Sequence, residues 1–232
     1  YKLVNGDEVR IPPIRTSIKE NQFVPTNIIT LLKESIVEEN DDYIAINKPE
    51  GIASHGGSGI SIGVIETIRN FGKSYRDAKL VHRLDKNTSG CQIIAKNNKF
   101  LRRCNKLISE RKIKKTYQAI VHGNWVYKDG LYEINIEKNK LIGNERMVKI
   151  SEGGKIAKTF FQAIESSNYF SLIQCELVTG RTHQLRVHLS ELGFPIVGDK
   201  KYGLKESRFS KGLSYKKRMY LHANSFISKD LN

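Results

Sequence analysis

What most constrains this chain is a succession of short apolar or alternating runs closed by turn residues. Thr159–Ile164 and Tyr169–Val178 are two such runs joined through Ser166, Ser167 and Asn168, a hairpin pattern. Ile36–Lys48 (IVEENDDYIAINK) reads as strand, acidic turn and second strand, ending at Pro49 and Gly51. Tyr132, Ile134 and Ile136 alternate with polar residues, Tyr117–His122 is closed by Gly123 and Asn124, and Cys91–Ala95 (CQIIA) is short and apolar enough for a buried strand. Arg218–Ile227 supplies a final strand.

Helical periodicity is confined to a few stretches. Asn97–Arg111 carries Phe100, Leu101, Cys104, Leu107 and Ile108 on one stripe, with Arg102, Arg103, Lys106 and Arg111 elsewhere. Ser61–Phe71 places Val64, Ile65 and Ile68 at helical spacing, and Thr182–Leu192 does so with Leu185, Leu189 and Leu192. Thr182 is the expected N-cap of that last helix, and Gly193 follows its end. Hairpins with a few flanking helices predict an α+β domain built on a largely antiparallel sheet. The expected organisation is a catalytic domain over 26–232, preceded at 1–25 by the tail of another domain and a linker. In that segment Tyr1–Pro13 turns at Asn5 and Gly6 like the close of a hairpin that begins upstream, and Ile14–Pro25 is polar without a period. Ser207–Lys217 is polar and basic, and no internal repeat is present.

Composition matters mainly through charge. Among 232 residues, Lys and Arg number 39 against 24 Asp and Glu, a formal net charge of +15. An excess of that size points to a polyanion, nucleic acid first, because clustered cations release condensed counterions from phosphates. The competing reading is a basic surface inherited from a lysine-rich proteome. No apolar stretch is long enough to span a bilayer and no leader opens the sequence, so a cytoplasmic protein is expected. Cys91, Cys104 and Cys175 are too scattered for a disulfide framework or a zinc site.

The chemistry concentrates around HRLDKNTSG, His82–Gly90, where Asp85 stands between Arg83 and Lys86 just before a turn. A carboxylate so flanked is held in its charged form and can serve as nucleophile or base. The competing reading is a turn aspartate with an ordinary ion pair. Tyr117 follows the basic run Lys112–Lys115, and Arg181 stands just before the predicted Thr182 helix. The glycine-rich PEGIASHGGSG lacks the Gly-Lys-Ser/Thr ending of a P-loop. His183 and His188 lack the zincin spacing, and no Gly-x-Ser-x-Gly elbow surrounds Ser89.

HRLDKNTSG resembles the signature of the RluA family of pseudouridine synthases. INKPEGIASHGGSG (Ile46–Gly59), KTY (Lys115–Tyr117) and TGRTHQLRVHL (Thr179–Leu189) resemble further motifs of that family, in order, and FPIVGDKKYG and LHA (Leu221–Ala223) follow where expected. The resemblance covers roughly Ile36–Ile227; Phe194 departs from it, standing where many relatives carry histidine. It implies the pseudouridine synthase fold with one central cleft, and an isomerase that needs no cofactor or metal.

By position it implies that Asp85 is the catalytic aspartate, that Tyr117 lies against the target base, and that Arg181 pairs with the carboxylate. Arg83 would order the flipped-out nucleotide, and Lys48 and His55 belong to the first motif. Lys112, Lys114 and Lys115 are the remaining expected substrate-binding residues. Three routes stay open to Asp85: attack on the anomeric carbon, addition to the uracil ring, or removal of a sugar proton. GDEVRIPP resembles the tail of a small RNA-binding domain found in front of some members, and HGGSG is similar to the branch acting on 23S ribosomal RNA. A transfer-RNA enzyme and an inactive RNA-binding module are the alternatives. RNA is the expected partner, with no obligate protein partner, and a monomer is expected.

Overall fold

The computed structural model describes residues 4–9, 24–57, 62–138, 147–204 and 218–231. Among the described residues, ten strands form one sheet. The first hairpin pairs β1 (Ile36–Glu39) with β2 (Tyr43–Lys48), its turn held by Asn40 Oδ1, which accepts from the backbone N–H of Asp42 and Tyr43 at 2.9 and 3.0 Å. Then come β3 (Lys79–Leu80), β4 (Ser89–Ala95), β5 (Lys114–His122), β6 (Gly130–Lys138), β7 (Val148–Ile150), β8 (Lys155–Ser166), β9 (Phe170–Leu177) and β10 (Leu221–Ile227). The spatial order is β1-β2-β4-β10-β5-β9-β8-β6-β7, with β3 beside the far end of β4. Every pairing is antiparallel except β10 on β4, so the last strand is inserted at the centre of the sheet. That parallel approach is close: a Cβ on Gly90, whose φ is +110°, would stand 2.2 Å from the carbonyl oxygen of Ala223.

In the Cys91–Ala95 run, residues 92–95 are buried, and from both sides, while Cys91 is partly exposed. Ile94 packs with Leu32 of α1 (Thr26–Glu34) and Val64, Ile65 and Ile68 of α2 (Val64–Arg69). Ile93 packs on the other face with Phe100 and Cys104 of α3 (Asn98–Ser109). The expected α3 stripe forms, and Asn97 caps it by accepting from the N–H of Phe100 at 2.9 Å. A third cluster joins Tyr117, Ala119, Ile173 and Leu221 to Leu185 and Leu189 of α4 (Gln184–Glu191).

Three expectations are corrected. The predicted Ser61–Phe71 helix is shorter, because the N–H of Gly63 bonds to Glu66 Oε2 and fixes the start there. The N-cap of α4 is His183 rather than Thr182, since the chain passes through a left-handed turn at His183 (φ 52°) before the helix begins. The final strand begins at Leu221, not Arg218. Asn5–Gly6 does form a turn, closed by Asp7 N–H donating to the Val4 carbonyl at 3.2 Å, whereas most of the 1–25 segment and Ser207–Lys217 lie outside the described residues.

Candidate active site

Asp85 lies in the loop before β4, its side chain 31% exposed, and that loop is tied down from below. Ser54 is the main tie: its hydroxyl donates to the Leu84 carbonyl at 2.7 Å and accepts from the Leu84 N–H at 2.9 Å and from Gln92 Nε2 at 2.9 Å. His82 accepts from the Ile93 N–H at 3.1 Å and stacks on Phe226; burial, then the charge of Lys115, pushes its pKa down to about 3. This imidazole is a neutral structural acceptor. Thr88 N–H closes the turn onto the Asp85 carbonyl at 3.1 Å.

Lys48 is the other tie, which corrects its assignment as a substrate-binding cation. Strand alternation places it on the inward face with Ile44 and Ile46, fully buried, and its ammonium donates to the carbonyls of Pro49 (2.8 Å), Ile52 (2.8 Å) and Lys86 (3.2 Å). All three donors therefore bind protein. Burial lowers its pKa to about 8, opposed by the charges of Asp85 and Glu50.

The partner of Asp85 is Arg186, not Arg181. Arg186 Nη1 donates to Asp85 Oδ2 at 3.2 Å, while Nε and Nη2 grip Asp199 Oδ2 and Oδ1 at 2.7 and 2.8 Å. The two arginines share one motif, and the left-handed turn at His183 decides between them. Arg181 is left outside the helix and exposed, with Nε 3.3 Å from the Ile156 carbonyl, whereas Arg186 projects from the buried first turns of α4. Gln184 secures that turn by accepting from the Arg181 N–H and Thr179 hydroxyl while donating to Lys158 O and Thr159 Oγ1. Asp199 is almost wholly buried and also accepts from the N–H groups of Lys201 and Tyr202. Burial acts to raise its pKa, but the Arg186 hydrogen bonds and charge outweigh this and leave it below the ordinary carboxylate value. Sequence reasoning missed Arg186 and Asp199; Arg186 shares the buried face of α4 with two other polar residues, Gln184 and His188, so nothing local set it apart.

Tyr117 is buried in β5 close enough to Asp85 to feel its charge; burial first, then Asp85, raises its pKa. Arg83 is exposed, with no ion-pair partner among the described residues. Lys115 is partly buried against Gly180, where a Cβ would stand 3.7 Å from its Nζ, and desolvation lowers its pKa. Lys112 pairs with Glu110 (3.0 Å) and Asp230 (3.7 Å), and Lys114 with Glu176 (2.6 Å). His55 is partly buried in the loop that follows β2. The arrangement thus offers an accessible carboxylate with one oxygen pinned by a buried arginine, an aromatic ring close enough to feel its charge, and two cations, Arg83 and Lys115, without an ion-pair partner among the described residues.

The fold is that of an RNA-modifying isomerase: residues 42–191 match the family model described as RNA pseudouridylate synthase, and the chain belongs to that family. The chain is an RNA pseudouridine synthase. Curated relatives narrow the type. It is 40% identical over 230 residues to Ribosomal large subunit pseudouridine synthase C of Escherichia coli (strain K12), covering 96% of this chain and 71% of that protein. Identity to the protein of the same name from Pasteurella multocida (strain Pm70) is 42%, covering 97% and 70%. Among solved structures, Human RNA Pseudouridylate Synthase Domain Containing 1 superposes with a TM-score of 0.68 at 28% identity, covering 83% of this chain and 77% of that one. Domain Containing 4 matches in fold at the same TM-score and 24% identity, covering 87% of each chain.

Proposed function

We propose that this chain isomerises specific uridines of large-subunit (23S) ribosomal RNA to pseudouridine, with Asp85 as the reacting carboxylate. The observation that carries the chemistry is the placement of Asp85, reachable from solvent yet fixed through Oδ2 by an arginine that Asp199 holds on its far side. The target rests on the relatives, whose names specify the ribosomal large subunit. The isomerisation breaks the glycosidic carbon–nitrogen bond, rotates the uracil and forms a carbon–carbon bond, so atoms balance without a co-reactant. A uridine in a helix must first be extruded, at a cost of a few kcal/mol. Tyr117 presents a ring to the extruded base, and Arg83 and Lys115 face the backbone phosphates. Arg181 remains in this reading as an exposed cation for RNA rather than as a partner of Asp85.

The reading includes a monomer working in the cytoplasm, where its substrate is made. It also includes residues 1–25 as the tail of an RNA-binding domain and its linker, which joined to 26–232 should tighten RNA binding through effective concentration. Mapping pseudouridines in ribosomal and transfer RNA, with and without the protein, tests it. Loss of 23S sites restored by wild type and not by Asp85→Asn is expected. Loss confined to transfer RNA would overturn the target, and full restoration by Asp85→Asn would overturn the role of Asp85.

A further inference from the structure

One group beside Asp85 has no part in the reading above. His183, directly before α4, adopts a left-handed backbone (φ 52°, ψ 22°), which residues bearing a β-carbon rarely take. A glycine would sit there without strain, so the position calls for an explanation in the side chain. That side chain is oriented from both ends. Its Nδ1 lies 2.8 Å from the hydroxyl of Tyr202, and its Nε2 lies 3.7 Å from Asp85 Oδ2.

The hydrogen-bond network accommodates the tautomer in which Nδ1 is the acceptor. The Val148 N–H donates to Tyr202 Oη at 3.0 Å, and in that tautomer the hydroxyl donates its own proton to His183 Nδ1. Nε2 then carries the ring proton and aims it at Asp85. Burial lowers the pKa of His183, with Asp85 and Asp199 opposing and Arg186 and Lys201 reinforcing, so the ring is a neutral donor near neutral pH. Tyr202 is itself held: its ring lies under the Arg186 guanidinium, 5.0 Å from centroid to Cζ, and its N–H is bound by Asp199.

Both contacts converge on the same oxygen. Arg186 Nη1 and His183 Nε2 each address Oδ2, and the described residues place no hydrogen bond on Oδ1. We propose that His183, anchored by Tyr202, is a positioning residue for the isomerisation, which with Arg186 orients the Asp85 carboxylate through Oδ2 and reserves Oδ1 for the nucleotide. The inference rests on the reading of Asp85 as the reacting carboxylate. A contact of 3.7 Å is longer than a hydrogen bond, and catalytic contacts of this kind commonly tighten once substrate is in place.

The test compares His183→Gly, His183→Gln, Tyr202→Phe and Asp85→Asn in single-turnover reactions at saturating concentration of a uridine-containing ribosomal RNA fragment. RNA affinity and urea unfolding are measured in parallel. His183→Gly keeps the left-handed backbone and removes the ring; its rate should fall about tenfold to a hundredfold, the scale of a misplacement near 1 Å, with RNA affinity within about twofold. His183→Gln returns an N–H donor near the Nε2 position and should be several-fold faster than His183→Gly despite its greater backbone strain. Tyr202→Phe, which removes one oxygen, should slow the reaction by a smaller factor and covers the case in which His183→Gly does not fold. A wild-type rate in His183→Gly or in Tyr202→Phe, a loss accounted for by weaker RNA binding, or a His183→Gln no faster than His183→Gly would each overturn the proposal. If Asp85→Asn turns over normally, the underlying reading fails; if it is inactive while His183→Gly is fast, the positioning role alone fails.

Discussion

Two buried cations flank the Asp85 loop, and they are neutralised in opposite ways. Arg186 is clasped by carboxylates, bidentate on Asp199 and single on Asp85; burial works against its charge, but the two acids more than offset that and raise its pKa. Lys48 donates to three neutral carbonyls, and burial wins, lowering its pKa to about 8. The difference separates their work. Carbonyl dipoles solvate an ammonium without requiring it to be charged at all times, so Lys48 ties the Pro49–Ile52 and Lys86 backbones together. Arg186 must keep its charge, because two acids depend on it.

The largest effect should follow from removing the arginine. Arg186→Met strands the Asp199 carboxylate, which is buried to within 1% of its surface, and should cost about 3 to 5 kcal/mol in denaturant unfolding as well as turnover. Adding Asp199→Asn should recover at least about 1 kcal/mol, a non-additivity that independent sites do not show. Lys48→Met leaves three carbonyls without a donor but no stranded charge, and about 1 to 3 kcal/mol is expected. Equal costs for the two methionine variants would erase the contrast between them.

Titration sharpens it further. The unfolded lysine titrates near its ordinary 10.5 and the folded Lys48 near 8, so between those values the unfolded chain binds the extra proton. Stability should therefore rise from about pH 8 to 10.5, by roughly 3 kcal/mol, in wild type relative to Lys48→Met. Asp199 behaves in the reverse manner. Its folded pKa lies below the ordinary 3.8, so its contribution is present above that value and is lost as pH falls through the folded one. An unfolding series at matched ionic strength reads both windows, and a wild-type profile parallel to that of Lys48→Met at high pH would rule out the depressed lysine.

The smallest effect concerns exposed cations. Arg83, unpaired among the described residues, should contribute about 0.7 to the logarithmic salt slope of RNA binding if it meets one phosphate of a single strand. Lys112 and Lys114, already engaged with Glu110, Asp230 and Glu176, should contribute less when replaced by alanine. A salt titration in which Arg83→Ala leaves the slope unchanged while Lys114→Ala flattens it would reverse that ranking.

The sequence made α3 legible because its cap and stripe are local, and it made the hairpins legible because alternation is local too. Asp85 could be singled out from its neighbours and from the family resemblance. The choice of Arg186 over Arg181 could not, since it depends on one residue, His183, turning left-handed before the helix. Lys48 was misassigned although the signal was present: it continues the inward row of Ile44 and Ile46. Its place in the first motif makes it a candidate substrate-binding cation only until the strand period is carried through to its last residue. Asp199 was hidden because a buried ion pair thirteen residues apart leaves no local pattern.

The insertion of β10 between β4 and β5 bears on how the protein is made. Until residues 221–227 have left the ribosome, the strand carrying the Asp85 loop and the strand carrying Tyr117 have no common neighbour, and each presents an unpaired stretch of edge, on β4 the part that β3 leaves open. Joining the Asp85 loop to the strand of Tyr117 thus waits for pairings among the most distant in sequence, Ser89 with His222 and Gly90 with Ala223, which are slow to form by chain search. A nascent chain of this kind has the Asp85 loop and Tyr117 still unjoined, and one cut short before the last strand would expose open stretches of sheet edge to its neighbours instead of a working enzyme.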